Sequence, residues 1–481
     1  MSTSQDELPV ETRSADESAA DFGAESDRLF DRKKMSAPTK LSAIVILLAL
    51  GIFLLAKAEF RLQHSNLLLY LYGVAVTSVV FVQMYVGMTR YRDPAMATPK
   101  TLPPDTDRTP LVSCLVAVHN EEVIIEKCIA SLAAQTYPNI EIIIIDDAST
   151  DNTPEILKEL MQRYPIRLLL LSKNVGKKRA LGAGMLRANG DIFAFSDSDS
   201  TWAPNAIERT VQVLVNDPEI GAVSGHCRAL NGHKNWITKM QDTWYEGQFS
   251  IRKAFESVFG SVTCISGPLA VFRRESIFNY IPEWEADRFL GDEFRFATDR
   301  TLTGFVLMDA KNANRLKAKH AGSEFAQPDY APTDWRVVYS KSARAWTEVP
   351  DTFKGLLRQQ VRWKKSFVRN IFFTGRFYWR RPLPTAIVYY FHVFFVFAGP
   401  FVAFRHLVYL PLHGNFESMV LYLFGILLIG TMFGLAYRRE DVDYPHRWIY
   451  RPLMALLSTT IISWLVIYSL ATIKKMSWAR G

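Results

Sequence analysis

Four short motifs in the polar middle of the chain carry residue types that can bind a diphosphate or move a proton. They are Asp146-Asp147, Asp197-Ser198-Asp199, Asp299-Arg300 and Gln359-Gln360-Val361-Arg362-Trp363. Residues two apart in an extended segment point the same way, so the carboxylates of Asp197 and Asp199 can face one divalent cation. An isolated Asp-x-Asp is more often an acidic turn, but this one follows an apolar run and two other acidic segments. We therefore predict a site for Mg²⁺ or Mn²⁺ bound to a diphosphate.

The aromatic motif places Gln359, Arg362 and Trp363 at i, i+3 and i+4, which is one face of a helix. A Trp ring gives a sugar a flat surface on which to stack, and Arg offers paired donors to phosphate. The alternative is an interfacial Trp and a snorkelling Arg, because residues 353–373 form a basic amphipathic stretch of the kind that lies on membranes. Both interpretations can hold at once.

The acidic motifs follow apolar runs that alternate with amphipathic stretches, a pattern that predicts an α/β fold. The apolar runs are Leu111–Val118, Ile140–Ile145, Leu168–Leu171 and Ile192–Phe195, and the amphipathic stretches include Glu122–Ala134 and Pro154–Arg163. Continuous apolar strands separated by helices indicate a parallel sheet covered on both faces. Ligands bind beyond the carboxyl ends of such strands, which is where the acidic motifs fall.

Two further segments at these strand ends suit a nucleotide. A carboxylate such as Asp147 can accept a hydrogen bond from a uracil ring N–H or a ribose hydroxyl. The alternative is that one of the next polar residues, Ser149, Thr150 or Asp151, only caps the following helix. The segment Asn174–Arg179 supplies positive charge and a flexible Gly suited to a diphosphate, but it lacks the spacing of a P-loop.

Apolar stretches of membrane length flank a polar domain at residues 109–349. Residues 1–40 are expected to be a disordered cytosolic tail rather than a signal peptide, because they are polar and acidic and the first apolar run begins only at Leu41. Leu41–Ala56 and Leu67–Met88 predict a transmembrane hairpin within residues 41–92, which the basic segment after it returns to the cytoplasm.

The polar domain is followed by more apolar sequence. Residues 350–381 predict amphipathic interface helices, and residues 385–438 predict transmembrane helices over Thr385–Leu410 and Ser418–Ala436. Residues 452–473 are a transmembrane or interfacial helix, and residues 474–481 a cytosolic tail. We favour an interfacial helix because a full crossing would place the basic tail outside, against the positive-inside rule.

The composition supports a polar domain combined with membrane helices. The chain has 481 residues, of which 49% are hydrophobic and 22% charged. Its net charge of +8 is modest and gathers around the apolar stretches, which favours anionic lipid headgroups and argues against nucleic acid. The four cysteines lie in the polar middle without the spacing of a zinc site, so we expect reduced thiols in a cytosolic domain.

Residues 41–481 resemble the processive family 2 glycosyltransferases, the group of hyaluronan, chitin and cellulose synthases. The resemblance is carried by the acidic motifs, Cys264-Ile265-Ser266-Gly267-Pro268-Leu269, the Asp299-Arg300-Thr301-Leu302-Thr303 segment, and the Gln-Arg-Trp motif followed by Lys365-Ser366-Phe367 and Arg369. These residues are most similar to hyaluronan synthases. The resemblance implies a cytosolic GT-A-like domain inserted between transmembrane and interfacial α-helices.

The resemblance also implies a role for most of the candidate residues. By this resemblance, Ala117, Glu121 and Asp147 would contact the uridine, and Lys177 would lie near the nucleotide. Asp197 would lie near the diphosphate and ribose, and Asp199 would bind the metal. The acceptor and the diphosphate would be contacted by Gln359, Arg362 and Trp363. Trp478-Ala479-Arg480 is a loose version of a Trp-Gly-Thr-Arg pattern that covers the active site in relatives, so Trp478 and Arg480 are possible gating residues.

Asp299 is the general base that the resemblance implies. Relatives commonly carry Gly-Asp-Asp there, whereas this chain has Ala297-Thr298-Asp299 and so keeps only the last carboxylate. A competing carboxylate, Asp292, lies in Gly291-Asp292-Glu293. We prefer Asp299 because the residues after it match the family, and one carboxylate suffices to take a proton from an acceptor hydroxyl.

The function that the resemblance implies is an inverting, processive and membrane-bound synthase. It would use UDP-sugars, with UDP-GlcNAc and UDP-GlcA favoured, and would export a hyaluronan-like polysaccharide from a multi-pass position in the plasma membrane. Three alternatives stay open: a chitin-type or other β-linked polymer, a non-processive transferase acting on lipid, and a non-catalytic transport or scaffold protein. Product size and donor consumption distinguish them.

Overall fold

The structure is a computed structural model that describes residues 67–97, 109–438 and 446–475. The predicted tail, the first helix of the hairpin and the possible gating residues Trp478 and Arg480 lie outside the described residues. The strands are β1 (Val112–Val118), β2 (Ile140–Asp146), β3 (Ile166–Leu170), β4 (Ile192–Asp197), β5 (Ser200–Trp202), β6 (Ile220–Ala229), β7 (Ala270–Arg273), β8 (Arg288–Phe289), β9 (Asp292–Glu293) and β10 (Arg336–Thr347).

The helices are labelled in chain order. They are α1 (Leu67–Thr89), α2 (Ile125–Ala133), α3 (Thr153–Arg163), α4 (Lys177–Arg187), α5 (Ala206–Asn216), α6 (Trp236–Gly247), α7 (Ala254–Val258), α8 (Arg274–Ile277), α9 (Ile281–Glu285), α10 (Thr298–Val306), α11 (Ala310–Lys319), α12 (Phe353–Phe373), α13 (Leu383–Phe404), α14 (Leu410–Leu412), α15 (Phe416–Tyr437), α16 (Tyr450–Thr460) and α17 (Leu465–Ala471). A π-helical segment, Gln248–Lys253, joins α6 to α7.

Eight strands form the main sheet, in the order β3-β2-β1-β4-β7-β6-β10-β5. The four predicted strands β1 to β4 are neighbours and run parallel, which confirms that part of the sequence interpretation. Beyond them the sheet is mixed, because β7 runs antiparallel to both β4 and β6 while β10 runs parallel to β6. This second half was not predicted.

Helices cover both faces of the sheet, as the continuous apolar strands require. Leu115 and Ile143 pack with the residues of α4 on one face, whereas Val116 and Ile144 pack with α2 and α3 on the other. Every residue of β1 is buried. The carboxyl ends of β1, β2 and β4 are therefore brought to one edge of a rigid layered domain.

Three helical segments of the described chain are long and apolar enough to cross a membrane: Leu71–Met96, Leu383–Leu412 and Phe416–Ala436. They coincide with three of the predicted spans, and their crossing of a membrane stays a prediction. The segment that we expected to be interfacial is a helix pair, Arg447–Thr460 and Ile462–Ala471, bent by 41°. Small residues let it approach α15, since a Cβ added to Gly430 would lie 2.7 Å from Pro452 Cα.

The carboxyl end of α1 is attached to the main sheet at β10. Tyr91 stacks on Tyr339 and donates a hydrogen bond to its carbonyl oxygen at 2.9 Å. The carboxylate of Asp93 accepts hydrogen bonds from Ser340 Oγ at 3.0 Å and from Ser342 N at 2.6 Å. The membrane helix and the sheet are thus joined by several hydrogen bonds directly after the helix ends.

Candidate active site

A cavity of about 470 Å³ opens at the carboxyl ends of β1, β2 and β4. Nine of the twelve predicted site residues line it: Ala117, Glu121, Asp147, Lys177, Asp197, Asp199, Asp299, Arg362 and Trp363. Gln359 does not line the cavity, and its buried Oε1 has no hydrogen-bond partner among the residues that the structure describes. The motifs are far apart in sequence, so their meeting in one cavity is the central observation about this site.

Asp147 fastens the end of β2 to the loop that opens α4. Its carboxylate accepts hydrogen bonds from Val175 N at 2.7 Å and Gly176 N at 2.9 Å, and burial raises the pKa of Asp147. Gly176 has φ +86, a left-handed conformation that glycine adopts without steric cost. The capping function instead falls to Asp151, which accepts from Thr153 N at 3.0 Å. The contact of Asp147 with a nucleotide stays a prediction.

The loop after β1 is tied both to the loop after β2 and to the Asp-Ser-Asp motif. Asn120 adopts φ +57 and its side-chain oxygen accepts from Thr150 N at 2.8 Å. The carboxylate of Glu121, which is buried, accepts from Ser198 Oγ at 3.0 Å. Strained, cross-linked loops of this kind hold side chains in fixed positions at a site.

Asp197 and Asp199 both line the cavity. Asp197 forms an ion pair with Lys177 Nζ, and Asp199 accepts from Thr347 Oγ1 at 3.1 Å. Among the described residues no three His, Cys, Asp or Glu side chains come together as a metal cluster. Two hard oxygen ligands with room for the oxygens of a substrate still fit Mg²⁺ or Mn²⁺, which are commonly held by one or two carboxylates and a phosphate.

Asp299 lies in the first turn of α10, directly beside the loop that carries Cys264. Its Oδ1 accepts from Arg300 N at 2.8 Å, and Cys264 Sγ lies 3.8 Å from its Oδ2. The competing carboxylate, Asp292, is in β9, does not line the cavity and pairs with Lys474 at 3.3 Å. The geometry therefore brings Asp299, and not Asp292, to the other site residues.

The backbone before Asp299 keeps a conformation that suits glycine. Ala297, which stands where relatives commonly have glycine, adopts φ +61 and ψ +37. A residue with a Cβ pays roughly 1–2 kcal/mol in this left-handed region. Strain of this kind is a recurrent property of functional sites.

Trp363 is held by other aromatic rings. Its ring stacks on Trp244 with centroids 5.5 Å apart and an interplanar angle of 22°, and meets the edge of Tyr245 at 6.1 Å. Trp244 in turn packs with Met240 and with Met454 of the bent helix pair. The orientation of Trp363 therefore depends on α6 and on the carboxyl-terminal helices as well as on α12.

A buried ionic cluster fixes α12 over the cavity. Asp287 accepts from Lys178 Nζ at 2.7 Å and from Arg369 Nε at 2.9 Å, and only 3% of its surface is exposed. Burial lowers the pKa of Lys178 to about 8. Because Lys178 follows Lys177, which lines the cavity, and Arg369 lies on α12, this cluster joins the two sides of the cavity.

Sequence reasoning missed several residues of the cavity wall, above all Trp284 and Phe296. Trp284 Nε1 donates to the carbonyl oxygen of Thr298 at 3.0 Å, next to Asp299. In the sequence these aromatic residues look like ordinary core, since they carry no spacing or charge pattern. Only their position relative to α10 reveals them.

Comparisons with known proteins agree with this geometry. Residues 113–280 match the model described as glycosyl transferase family 2. A hyaluronan synthase of Streptococcus pyogenes is 30% identical over 380 residues, covering 76% of this chain and 82% of that protein. An N-acetylglucosaminyltransferase of Rhizobium meliloti (strain 1021) is 32% identical over 318 residues, covering 63% of this chain and 68% of that protein.

A solved structure gives a more distant likeness. The mannosyltransferase of Pyrobaculum calidifontis in complex with GDP-Man and Mn²⁺ is 20% identical, with a TM-score of 0.44, and the match covers 81% of this chain and 98% of that one.

Proposed function

Because this chain belongs to the family 2 glycosyltransferases and has their GT-A-like α/β fold, we propose that it is a processive synthase. It would transfer sugars from UDP-sugars to a growing β-linked polysaccharide, hyaluronan-like in character, and export the polymer. The observation that carries the proposal is the meeting of the acidic strand ends, Asp299 and the Arg362-Trp363 pair in one cavity beside membrane-length helices.

The donor would bind at the strand ends. Ala117, Glu121 and Asp147 border the part of the cavity that suits a uridine, and Lys177 and Asp197 the part that suits its diphosphate. Asp199, together with Asp197, would hold Mg²⁺ or Mn²⁺, which would neutralise charge on the departing diphosphate. The ion pair between Lys177 and Asp197 keeps a cation beside the same group before any ligand binds.

Asp299 would act as the general base of an inverting reaction. Its carboxylate would take the proton of an acceptor hydroxyl while that oxygen bonds to the anomeric carbon and the bond from that carbon to UDP breaks. The sugar already attached would stack on Trp363, and Arg362 would donate to the leaving diphosphate. Gln359 lies on the same helix outside the cavity wall, so its role would be to support these two residues.

Three basic residues near α12, Arg252, Arg300 and Lys364, do not line the cavity, so they do not decide between an acidic and a chitin-type polymer. Arg252 is paired at 3.4 Å with Glu256, and Arg300 directly follows Asp299 in sequence. The preference for a hyaluronan-like polymer rests instead on the resemblance of the motifs and on the hyaluronan synthase that is similar to this chain.

The membrane arrangement is part of the same proposal. Residues 41–92 and 385–438 would cross the plasma membrane, the domain at 109–349 and the helices at 350–381 would face the cytoplasm, and 1–40 and 474–481 would be cytosolic tails. Packing of the bent pair against α6, α12 and α15 supports an interfacial position for residues 452–473. Membrane lipid would then surround the path of the polymer, which needs a protein-lined route through hydrocarbon.

The test uses purified protein in sealed vesicles with its catalytic domain outward. Radiolabelled UDP-GlcNAc and UDP-GlcA are added singly and together, with Mg²⁺ or Mn²⁺. The proposal expects a long product only with both donors, protected inside the vesicle from an added polysaccharide lyase. A polymer from UDP-GlcNAc alone would indicate the chitin-type alternative, and a single-sugar glycolipid the non-processive one. Product that is fully lyase-sensitive in intact vesicles would refute export, and no product from any UDP-sugar would reject the synthase.

A further inference from the structure

A buried lysine that none of the motifs includes lies behind the active-site cavity. Lys253 ends the π-helical segment Gln248–Lys253, and only 8% of its surface is exposed. Its ammonium group donates to Ser224 Oγ at 2.9 Å and to Ser266 Oγ at 2.6 Å, and lies 4.0 Å from the centre of the Phe249 ring. Short π-helical segments are frequent at functional sites because they turn one side chain out of the regular helical register.

The segment that Lys253 holds separates the two catalytic carboxylates. At one end, Cys264 Sγ is 3.8 Å from Asp299 Oδ2. At the other, Gly267 is in such close contact with Asp197 that an added Cβ would lie 2.6 Å from Asp197 Oδ2. Ser266, the partner of Lys253, directly precedes this glycine. The position of segment 264–267 therefore sets how the base and the diphosphate-binding carboxylate are spaced.

Among the described residues, Lys253 forms no close ion pair, and both of its side-chain hydrogen bonds go to serine hydroxyls. Burial lowers the pKa of Lys253 to about 8, whereas the neighbouring Cys264, Asp299, Glu256 and Cys227 act in the opposite direction. A buried ammonium group is costly unless it is hydrogen-bonded, so the contacts with Ser224 and Ser266 hold Lys253 in place.

We propose that Lys253 is a positioning residue that holds segment 264–267 between Asp197 and Asp299. This inference rests on the proposed function, because it takes Asp299 as the base.

The test compares Lys253→Gln, which keeps a hydrogen-bond donor but removes the charge, with Lys253→Arg, which keeps the charge. UDP release and polymer formation are measured against donor concentration. Lys253→Gln should lower kcat several-fold while the KM for the donor stays near the wild-type value, because segment 264–267 loses the ammonium group that positions it. Lys253→Arg, which can still donate a hydrogen bond to Ser266, should keep most of the wild-type kcat.

Two further variants test the contact itself and the specificity of the effect. Ser266→Ala removes the hydroxyl that accepts the hydrogen bond from Lys253, so it should lower kcat in the same way as Lys253→Gln. Lys239→Gln on α6, whose ammonium lies over the Tyr450 ring, is the matched control and should leave kcat and KM unchanged. UDP affinity, measured by calorimetry, should be retained in all four variants.

The outcomes distinguish this inference from the proposed function. An active wild type whose Lys253→Gln variant has an unchanged kcat would overturn the inference alone. Equal loss in Lys253→Gln and Lys253→Arg, with weaker UDP binding, would assign Lys253 a purely structural role and overturn it as well. A wild type that is inactive with every UDP-sugar would reject the proposed function first.

Discussion

The stack of Trp244 on Trp363 gives a prediction about polymer length. If Trp363 is the platform for the acceptor sugar, its orientation should depend on Trp244, which lies 5.5 Å away at 22°. Trp244→Leu keeps an apolar side chain against Met240 and Met454 but removes the flat partner. The expected result is a more mobile Trp363, earlier release of the growing chain and a shorter product.

The size of the effect follows from the geometry. An offset-stacked aromatic pair contributes about 0.5–1.5 kcal/mol beyond its buried area. Since about 1.4 kcal/mol corresponds to a factor of ten, chain release should be about 2- to 13-fold faster. At saturating donor, the mean product length should fall by the same factor, while donor consumption per enzyme changes little because the nucleotide site lies on the strand ends.

The assay is the size distribution of radiolabelled product on a gel, with UDP release measured in parallel. Trp236→Ala is the matched control, because this tryptophan begins the same helix and is 56% exposed. A double variant, Trp244→Leu with Trp363→Ala, should make product no shorter than Trp363→Ala alone. If the two effects add fully, or if Trp244→Leu weakens UDP binding instead, Trp244 does not act through Trp363 and the reasoning is refuted.

Three other variants test the catalytic carboxylates and the strained turn. Asp199→Ala should abolish metal-dependent UDP binding and transfer, because Asp197 alone cannot hold the cation against the diphosphate. If this variant keeps substantial metal-stimulated turnover, the Asp-Ser-Asp motif is only an acidic turn. Asp299→Asn should retain UDP binding but lose about two to four powers of ten in transfer rate, whereas Asp292→Asn should stay active; the reverse pattern would reassign the base. Ala297→Gly should raise the free energy of unfolding by about 0.5–1 kcal/mol, because relief of the left-handed strain outweighs the added freedom of the unfolded chain. Thermal unfolding in detergent measures this change, and a lower melting temperature would contradict it.

The first half of the catalytic domain could be predicted because the local sequence pattern of its segments agrees with their tertiary packing. Strands β1 to β4 are continuous apolar runs, their helices are amphipathic, and the acidic motifs stand where the strands end. The α12 helix could be predicted for the same reason, since its basic and apolar residues follow a helical period. Local pattern and tertiary packing demand the same conformation in these segments.

The remainder depends on contacts that no local pattern records. Strand β7 has four residues and is defined only by its two antiparallel neighbours. The stacking partner of Trp363 lies 119 positions earlier in the chain, and the lysine behind segment 264–267 looks like any other lysine in a basic sequence. The left-handed conformation of Ala297 could not be predicted, because alanine, unlike glycine, does not indicate such a conformation in the sequence.

If α1 crosses a membrane as proposed, its attachment to β10 would couple the active site to the bilayer. Asp93, just beyond α1, accepts a hydrogen bond from Ser342 N, and five residues further along the same strand Thr347 donates to Asp199 at 3.1 Å. At about 3.3 Å per residue this segment spans roughly 17 Å, with an irregularity in its ladder between Tyr339 and Arg344. A lipid of different thickness changes the tilt of a spanning helix. A change in the tilt of α1 would then act on the strand that holds Asp199, and we expect the rate to depend on lipid thickness.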